Sequence, residues 1–377
     1  MENMVNHNSA LFGGSYQGRR VLITGHTGFK GSWLAVWLSM MGARVTCLAL
    51  EPESDPSHWT LLSQKSNTLK PVQSHTVNIN NLEETQAVVT QASPEIVFHL
   101  AAQSLVRRSY TFPLETWKTN VIGTAHLLES CRNLPDLKAV VLATTDKCYE
   151  NTGQDKSFKE GAPLGGHDPY SASKASMEIL IASYRRSFFA ASCRTKNNAL
   201  IASVRAGNVI GGGDWSEDRL IPDVVRSVHN QTPLKIRAPK AVRPWQHVLD
   251  CLSGYLMLGQ KLLNNEETFA SAWNFGPSSS SILSVEDILQ QLQKSWPDVQ
   301  WELDEAHHVH ESAYLTLDSA KAHSTLNWHP TWKIDRAIEK TALWYKNFYK
   351  DQSLATITQI EEYIGDSRHS GMDWVAK

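Results

Sequence analysis

A tyrosine and a lysine four residues apart, Tyr170 and Lys174, form the pair in this sequence best suited to proton transfer. Residues at i and i+4 of a helix share one face, so the ammonium can lie close to the phenol and favour its ionised form. Such a phenol can take the proton of an alcohol hydroxyl while hydride leaves the same carbon. The same spacing also occurs by chance on solvated helix faces.

A glycine-rich turn has the features of a dinucleotide site. Gly25, Gly28 and Gly31 follow an apolar run at 19–24 and precede apolar positions at helical spacing in 31–42. Glycines in a strand-to-helix turn allow close backbone approach, and the helix N-terminus offers free N–H groups to a pyrophosphate. The spacing is GxxGxxG instead of GxGxxG, and such a turn can also join a strand to a helix without any ligand.

A third group consists of Asp146 and Lys147, directly after Thr145. Elimination of water needs one group that donates a proton and another that removes one, and two neighbours of opposite proton tendency can provide both. Asp-Lys neighbours are more often surface ion pairs. Taken alone, the pair is more typical of a solvated surface than of an active site.

Strand and helix patterns alternate over the first 205 residues, and this alternation predicts the fold that must position these groups. The predicted strands are 19–24, 44–50, 95–102, 139–145 and 199–209, and the predicted helices are 31–42, 82–92, 119–133 and 170–189. The predicted fold class is α/β: a doubly wound parallel sheet of the Rossmann type with a smaller, mixed C-terminal substrate-binding domain.

The composition changes after residue 205 to loops rich in Gly, Pro and Trp, with further helices predicted at 251–263 and 335–349. We therefore expect four parts along the chain. They are a flexible N-terminal arm (1–16), a dinucleotide-binding domain (17–205 with some later segments), a mainly substrate-binding domain (206–350) and a C-terminal tail (351–377).

The overall composition argues against several classes of protein. The 36 Lys and Arg against 38 Asp and Glu give a formal net charge of −2, so no global field recruits nucleic acid or a membrane surface. No segment approaches the ~18 apolar residues of a membrane span. The five cysteines form no CxxC pair and the fifteen histidines show no ligand spacing. We expect no metal, no disulfide frame and a cytoplasmic setting.

The combined motifs resemble the extended short-chain dehydrogenase/reductases over roughly residues 19–350. The glycine turn, His99–Gln103, Asn120, the hydroxyl pair Thr144-Thr145 and the Tyr170–Lys174 segment carry this likeness. Within that superfamily the chain is similar to the nucleotide-sugar 4,6-dehydratases. The Thr145-Asp146-Lys147 run and five longer stretches indicate this, at 25–33, 144–151, 205–215, 243–250 and 273–277.

The resemblance implies NAD as the cofactor and Thr145, Asp146, Lys147, Tyr170 and Lys174 as the catalytic residues. Hydride leaves C4 of a hexose while Tyr170 removes the hydroxyl proton, and the resulting ketone acidifies C5–H. Asp146 protonates the departing C6 hydroxyl, and hydride then returns to C6. Lys147 stands where most of these enzymes have a glutamate. It is either a neutral amine that removes the C5 proton beside a protonated Asp146, or a charged group that stabilises the C4 enolate oxygen.

The resemblance also implies binding residues at matched positions. Those for the cofactor are Gly25, Thr27, Gly28, Phe29, Lys30, Gly31, Asn78, Ile79, Leu100, Ala101, Ala102, Asn120, Tyr170 and Lys174. Those for the substrate are Gln103, Ser104, Asn208, Arg219, Leu220 and Arg243. The two arginines suit a diphosphate because the guanidinium fork matches phosphate oxygens. Asn120 is equally compatible with a helix cap, and Asn208 with an ordinary loop turn.

NAD is preferred over NADP although the acid usual at the end of the second strand is displaced. Counting places Ala49 there, with Glu51 two residues on, and Asn78 near the adenine position, while no arginine pair for a 2′-phosphate is evident. The expected partner is a small nucleotide sugar. We also expect a homodimer or a dimer of dimers, formed through the helices at 113–133 and 170–189.

Two other functions remain open. A nucleotide-sugar epimerase or decarboxylase would use the same tyrosine and lysine, and Asp146-Lys147 argues against it. A non-catalytic dinucleotide-binding protein would have no use for the intact pair of Tyr170 and Lys174.

Overall fold

The structure is a computed structural model that describes residues 8–153, 156–190, 199–278, 281–304 and 314–375. Seven parallel strands form a central sheet: β1 (Arg20–Thr24), β2 (Arg44–Ala49), β3 (Gln73–Thr76), β4 (Ile96–His99), β5 (Ala139–Ala143), β7 (Leu200–Ala206) and β11 (Ala272–Phe275). Their order is β11-β7-β5-β4-β1-β2-β3. This topology confirms the predicted doubly wound parallel sheet.

The sheet has an apolar core on each face, because successive strand residues point to opposite sides. Val21 and Ile23 of β1 belong to one core, and Leu22 belongs to the other. Helices on the two faces supply many of the other core residues. They are α1 (Phe29–Met40), α3 (Leu82–Ala92), α6 (Gly123–Cys131), α7 (Pro169–Ser187), α9 (Val248–Leu263), α12 (Ile334–Asp351) and α13 (Thr356–His369).

Helices α3, α6 and α7 cover one face of the sheet, and α1, α9, α12 and α13 lie over the other. The helix predicted at 119–133 differs from the structure. Shorter helices, α4 (Val106–Thr111) and α5 (Pro113–Trp117), come first, and a π-helical turn at Lys118–Ile122 joins α5 to α6. Such turns shift the side chains that follow and are frequent at functional sites.

Most of the other strands and α-helices lie in the C-terminal part. The remaining elements are β6 (Ser157–Phe158), β8 (Asn208–Ile210), β9 (Leu234–Ile236), β10 (Val242–His247), β12 (Ile282–Ser284), β13 (Trp301–Leu303), β14 (Thr316–Leu317), α2 (His58–Lys65), α8 (Leu220–His229), α10 (Val285–Ser295) and α11 (Ala320–Leu326). Strand β10 pairs in parallel with β8 and antiparallel with β12, so this sheet is mixed. The domain boundary between residues 205 and 206 stays a prediction. One strand of the central sheet, β11, comes from the segment after this boundary.

The predicted flexible arm is wrong for residues 8–16. Leu11, Phe12 and Tyr16 are buried, and the Tyr16 hydroxyl donates to the Leu256 carbonyl at 2.6 Å. The Phe12 ring stacks on Trp374 with 4.7 Å between the ring centres. Apolar side chains in a polar-looking segment therefore complete the core, and residues 1–7 lie outside the described part.

The C-terminal tail is also more structured than its sequence indicated, because α13 and Trp374 pack on the sheet core. None of the described helices combines the length and apolar character needed to cross a membrane.

Candidate active site

The glycine turn follows β1 and leads into α1, as predicted. Gly25 has φ +78, and a Cβ on it would lie 2.6 Å from the Ala101 nitrogen. A Cβ on Gly31 would lie 2.2 Å from the Gly25 carbonyl oxygen. Only glycine fits either position, so the turn packs tightly against the chain after β4. Gly28 caps α1 without a side-chain hydrogen bond, which leaves the first N–H groups of the helix available to an anion.

A cleft of about 1660 Å³ opens at this end of the sheet, where the strand order reverses between β1 and β4. It brings together nearly all of the predicted residues. Its lining includes Gly25, Thr27, Gly28, Phe29, Lys30, Gly31, Asn78, Ile79, Leu100, Ala101, Ala102, Gln103, Ser104, Thr145, Asp146, Lys147, Tyr170, Lys174, Asn208, Arg219, Leu220 and Arg243.

Tyr170 and Lys174 lie in the first two turns of α7. Asp168 caps this helix by accepting from the Ser171 backbone N–H at 2.9 Å, and Pro169 opens its first turn. Both functional side chains are buried, and the Lys174 ammonium donates to the Ala143 carbonyl at 3.2 Å. The end of β5 and the start of α7 together fix this pair in the cleft.

Burial dominates the protonation of both groups. It raises the pKa of Tyr170 to about 12, although the Thr145 side chain and Arg219 lower it. Burial, followed by the nearby Lys30, lowers the pKa of Lys174 to about 7. The sequence predicted that Lys174 would favour the ionised phenol. In this structure the pKa of Tyr170 lies above its ordinary value, because the loss of hydration of the phenolate outweighs its stabilisation by neighbouring groups.

A one-turn 3₁₀ helix after β5 carries the predicted acid. The Thr145 hydroxyl accepts from the Lys147 backbone N–H at 3.3 Å and donates to Asp146 Oδ1 at 3.0 Å. Asp146 is only 1% exposed, and its Oδ2 has no hydrogen-bond partner among the described residues. A Cβ on Gly207 would lie 3.1 Å from this oxygen. The glycine therefore keeps space beside it.

Asp146 and Lys147 form no ion pair with each other. Their backbone places the carboxyl in the interior, while Lys147 is half-buried at the cleft wall. The surface ion pair considered from the sequence is therefore wrong for this position.

Two arginines approach the cleft from the C-terminal part. Arg219 donates to Ser104 Oγ at 2.9 Å and to Asp214 Oδ2 at 3.3 Å, and it thereby links the loop after β4 to the start of α8. Arg243 is buried on β10, and Asn208 pairs with Trp245 of the same strand. These cations and the helix N-terminus face one cleft, as a diphosphate ester requires.

Comparison with known proteins identifies the family. The model of the family described as GDP-mannose 4,6 dehydratase matches residues 22–341. This chain belongs to that family. A relative, the CDP-glucose 4,6-dehydratase of Salmonella typhimurium, is 44% identical over 352 residues, which cover 93% of this chain and 97% of the relative. The dTDP-glucose 4,6-dehydratase of Haemophilus influenzae is 25% identical, with 86% of this chain and 97% of the relative covered. The resemblance predicted from the five stretches is confirmed.

Solved structures of the same fold are more distant in sequence. The UDP-glucose 4-epimerase of Thermotoga maritima with UDP-glucose has a TM-score of 0.72 and 20% identity, covering 88% of this chain and 99% of that one. The dTDP-glucose 4,6-dehydratase of Bacillus anthracis in complex with NAD has a TM-score of 0.68 and 20% identity, covering 87% and 96%. Both show the fold that this family uses.

The side chains of two predicted binding residues form hydrogen bonds within the chain and hold neighbouring segments together. Asn120 is buried in the π-helical turn, where it accepts from the Gln103 backbone N–H at 2.9 Å and donates to Ser173 Oγ at 2.9 Å. It does not line the cleft and is not a helix cap. Gln103 lines the cleft, but its amide nitrogen donates to Thr116 Oγ1 and its amide oxygen accepts from the Leu105 N–H.

The cleft contains an acid just after β2, at the displaced position. Ala49 and Glu51 both line it, and Thr76 Oγ1 donates to Glu51 Oε1 at 2.7 Å. Asn78 also lines the cleft, and its Oδ1 accepts from the Asn80 backbone N–H. No three His, Cys, Asp or Glu side chains of the described residues come together as a metal site would need.

Glu178, Arg205 and Tyr149 form a buried polar network beside the cleft, and no role was predicted for any of them from the sequence. One signal was present, since Glu178 lies four residues after Lys174 on the same helix face. A carboxylate there faces the interior and needs a partner.

Proposed function

We propose that this chain is an NAD-dependent nucleotide-sugar 4,6-dehydratase that converts CDP-glucose to CDP-4-keto-6-deoxyglucose with loss of water. The observation that carries the proposal is the buried Asp146, which lines the cleft that also contains Tyr170 and whose Oδ2 has no hydrogen-bond partner among the described residues. Oxidation and reduction alone need no such acid. Departure of the C6 hydroxyl does need one. The 44% identity to a CDP-glucose 4,6-dehydratase favours cytosine as the base.

The residues of the glycine turn fit NAD. The close approach of Gly25 to Ala101 and the uncapped start of α1 provide a place for a pyrophosphate. Glu51 is available for a ribose hydroxyl, and such an acid disfavours a 2′-phosphate. When bound there, NAD would supply the oxidant for C4 of the hexose and the hydride for C6.

Tyr170 acts on the C4 hydroxyl proton. With a pKa of about 12 the phenol is protonated at neutral pH and cannot accept a proton, so the cleft must lower this value when it fills. Lys174 can do so in its protonated form, which a pKa of about 7 leaves partly populated at neutral pH. A protonated Lys174 in a buried cleft favours the phenolate.

Asp146 and Lys147 carry out the elimination. Asp146 donates its proton to the departing C6 hydroxyl, and Thr145 fixes the orientation of the carboxyl through Oδ1. Lys147 lies next along the same turn and either removes the C5 proton or stabilises the enolate oxygen at C4.

The decisive experiment incubates the purified protein with CDP-, dTDP-, GDP- and UDP-glucose and follows the 4-keto-6-deoxy product by mass, which falls by one water. We expect product with CDP-glucose only. A product of unchanged mass with an inverted centre would indicate an epimerase. Loss of carbon dioxide from a uronic acid nucleotide, supplied in a parallel incubation, would indicate a decarboxylase. Failure with every sugar, although NAD binds, would favour a non-catalytic protein. Asp146→Asn is the matched control, because it keeps the shape of the side chain and removes the acid.

We also propose that the chain pairs with a second copy through α5, α6 and α7, in a homodimer or a dimer of dimers. Leu114 is 74% exposed and Ile179 is 61% exposed on these helices, with Phe112 and Ile122 also exposed. Large exposed apolar residues on neighbouring helices are typical of an interface. The free, buried thiols of Cys47, Cys148 and Cys251 fit the cytoplasm as the compartment.

A further inference from the structure

A buried ion pair lies directly behind the cleft. The side chains of Glu178 on α7 and Arg205 on β7 are 3% and 4% exposed. Arg205 Nε and Nη2 donate to the two carboxylate oxygens at 2.9 and 2.7 Å, and Ser203 Oγ donates to the same carboxylate at 2.8 Å. Bidentate geometry of this kind fixes the two side chains relative to each other.

The pair holds both ends of the 144–149 turn. At its start, Thr144 Oγ1 donates to Glu178 Oε1 at 2.5 Å. At its end, Arg205 Nη1 donates to the Tyr149 hydroxyl at 2.7 Å, and the guanidinium carbon lies 4.9 Å from the centre of the Tyr149 ring. The segment between these two attachments contains the 3₁₀ turn with Asp146 and Lys147.

The same carboxylate belongs to the helix face that carries the phenol. Tyr170, Lys174 and Glu178 follow one another at intervals of four residues on α7, and all three are buried. One ion pair thereby connects the helix of Tyr170 to the turn of Asp146.

The stability of the folded state does not explain the presence of this ion pair. The loss of hydration of two buried charges offsets most of their attraction, and apolar replacements of similar size are often neutral or stabilising. Geometry is the clearer gain, because catalytic groups displaced by ~1 Å can lose about 100-fold in rate.

We propose that Glu178 and Arg205 are positioning residues for the elimination step, which hold Asp146 and Lys147 opposite Tyr170. This inference rests on the proposed dehydratase function. Glu178 also counteracts burial at Lys174, since its negative charge raises the pKa of that lysine. Loss of the carboxylate therefore shifts the alkaline limb of the pH profile to lower pH, a change that a purely structural role would not produce.

The test uses the double variant Glu178→Leu/Arg205→Met, which removes both charges together. We expect a thermal midpoint near that of the unchanged protein, kcat for CDP-glucose lower by about 100-fold and KM little changed. Thr144→Val and Tyr149→Phe, which each cut one attachment, should lower kcat in the same direction. Tyr16→Phe is the matched control, because it loses a buried tyrosine hydrogen bond outside the cleft and should keep full kcat.

A folded double variant with unchanged kcat and pH profile would overturn the positioning role. If the double variant does not fold, unchanged kcat in both single variants would overturn it equally. Inactivity of the unchanged protein refutes the dehydratase function instead. Crystal structures of the unchanged protein and the single variants then decide the positioning role, which a displaced 144–149 turn supports and an unmoved Asp146 refutes.

Discussion

Burial sets the chemical character of the individual site residues. Tyr170, Lys174 and Asp146 are each less than a tenth exposed, so neighbouring groups and not bulk water determine which of them holds a proton. For Tyr170 and Lys174 this moves each pKa against the charged form. A bound ligand that changes the local charge therefore changes the reactivity of the pair.

Tyr170→Phe tests the proposed base. We expect kcat to fall by about 10²–10⁴-fold, because the variant lacks only the hydroxyl that transfers the proton. The apolar ring keeps its packing, so NAD affinity and the thermal midpoint should stay near their original values. Turnover within a few-fold of the unchanged protein would remove Tyr170 from the mechanism.

The lowered pKa of Lys174 predicts that cofactor binding depends on pH. Its pKa of about 7 means that the ammonium is present below this pH and is lost as the pH rises through it. If the ammonium contacts NAD, the affinity should fall between pH 6 and pH 8. Lys174→Met should bind NAD more weakly and without this dependence. Titrations with the two proteins at several pH values give the result, and a flat curve for the unchanged protein would contradict the contact.

Lys147→Ala separates the two roles left open for this lysine. The 4-keto-hexose intermediate is supplied in deuterated water, and deuterium at C5 is measured. If Lys147 is the base, exchange at C5 should slow by about 10²–10⁴-fold in the variant. Exchange at the original rate with reduced dehydration would assign Lys147 to the enolate oxygen instead.

At the scale of elements, hydrophobic periodicity predicted the helix at 82–92 with the bounds that the structure shows, because Asn81 caps an amphipathic segment. The strand predicted at 95–102 ends at His99. Thr24 Oγ1 accepts from the Leu100 and Ala101 N–H groups, and this bends the chain into the cleft. That partner lies more than 70 residues away, and local patterns contain no information about such contacts.

The same limit applies to the site itself. Tyr170 and Lys174 could be predicted because their spacing is local. The attachment of Asn120 to Gln103 and Ser173 could not, because it depends on a π-helical turn and on two distant segments.

Helices α5 to α7 predict the oligomeric state. Leu114→Asp combined with Ile179→Asp places charges on the exposed apolar surface. We expect the Kd of the dimer to rise at least tenfold, since each factor of ten corresponds to ~1.4 kcal/mol. Light scattering at several concentrations measures this. Leu303→Asp, an equally exposed leucine on β13, is the control that should leave the mass unchanged. A monomer in the unchanged protein would contradict the proposed pairing.

At the scale of the whole molecule, Asp250 connects distant parts of the C-terminal half. Its Oδ1 accepts from the Thr331 N–H at 2.6 Å and from the Tyr363 hydroxyl at 2.7 Å, so α9, the loop before α12 and α13 meet at one carboxyl. Among the described residues its Oδ2 has no partner. Burial raises the pKa of Asp250 to about 7.

Asp250→Asn should therefore change how stability depends on pH. The folded state holds a proton on Asp250 that the unfolded chain releases above pH ~4, so this group lowers the free energy of unfolding as the pH rises from about 4 to 7. At ~1.4 kcal/mol per pKa unit the full effect is about 4 kcal/mol. The amide variant should match the original protein near pH 4 and exceed it near pH 8. Denaturant titrations of both proteins at both pH values measure the free energy of unfolding. The same difference between the two proteins at pH 4 and pH 8 would contradict the prediction.

The two ends of the described chain meet on one side of the sheet, where the Phe12 N–H donates to the Trp374 carbonyl at 2.7 Å. A short linker could therefore join the termini without crossing the protein, and new ends could be opened in an exposed loop. Such a circular permutant should keep the cleft, because Phe12 and Trp374 pack on Trp37 near the end of α1, whereas the cleft lies at the start of that helix. Segments that replace the chain before Phe12 and after Trp374, in contrast, would both start from this place and compete for space there.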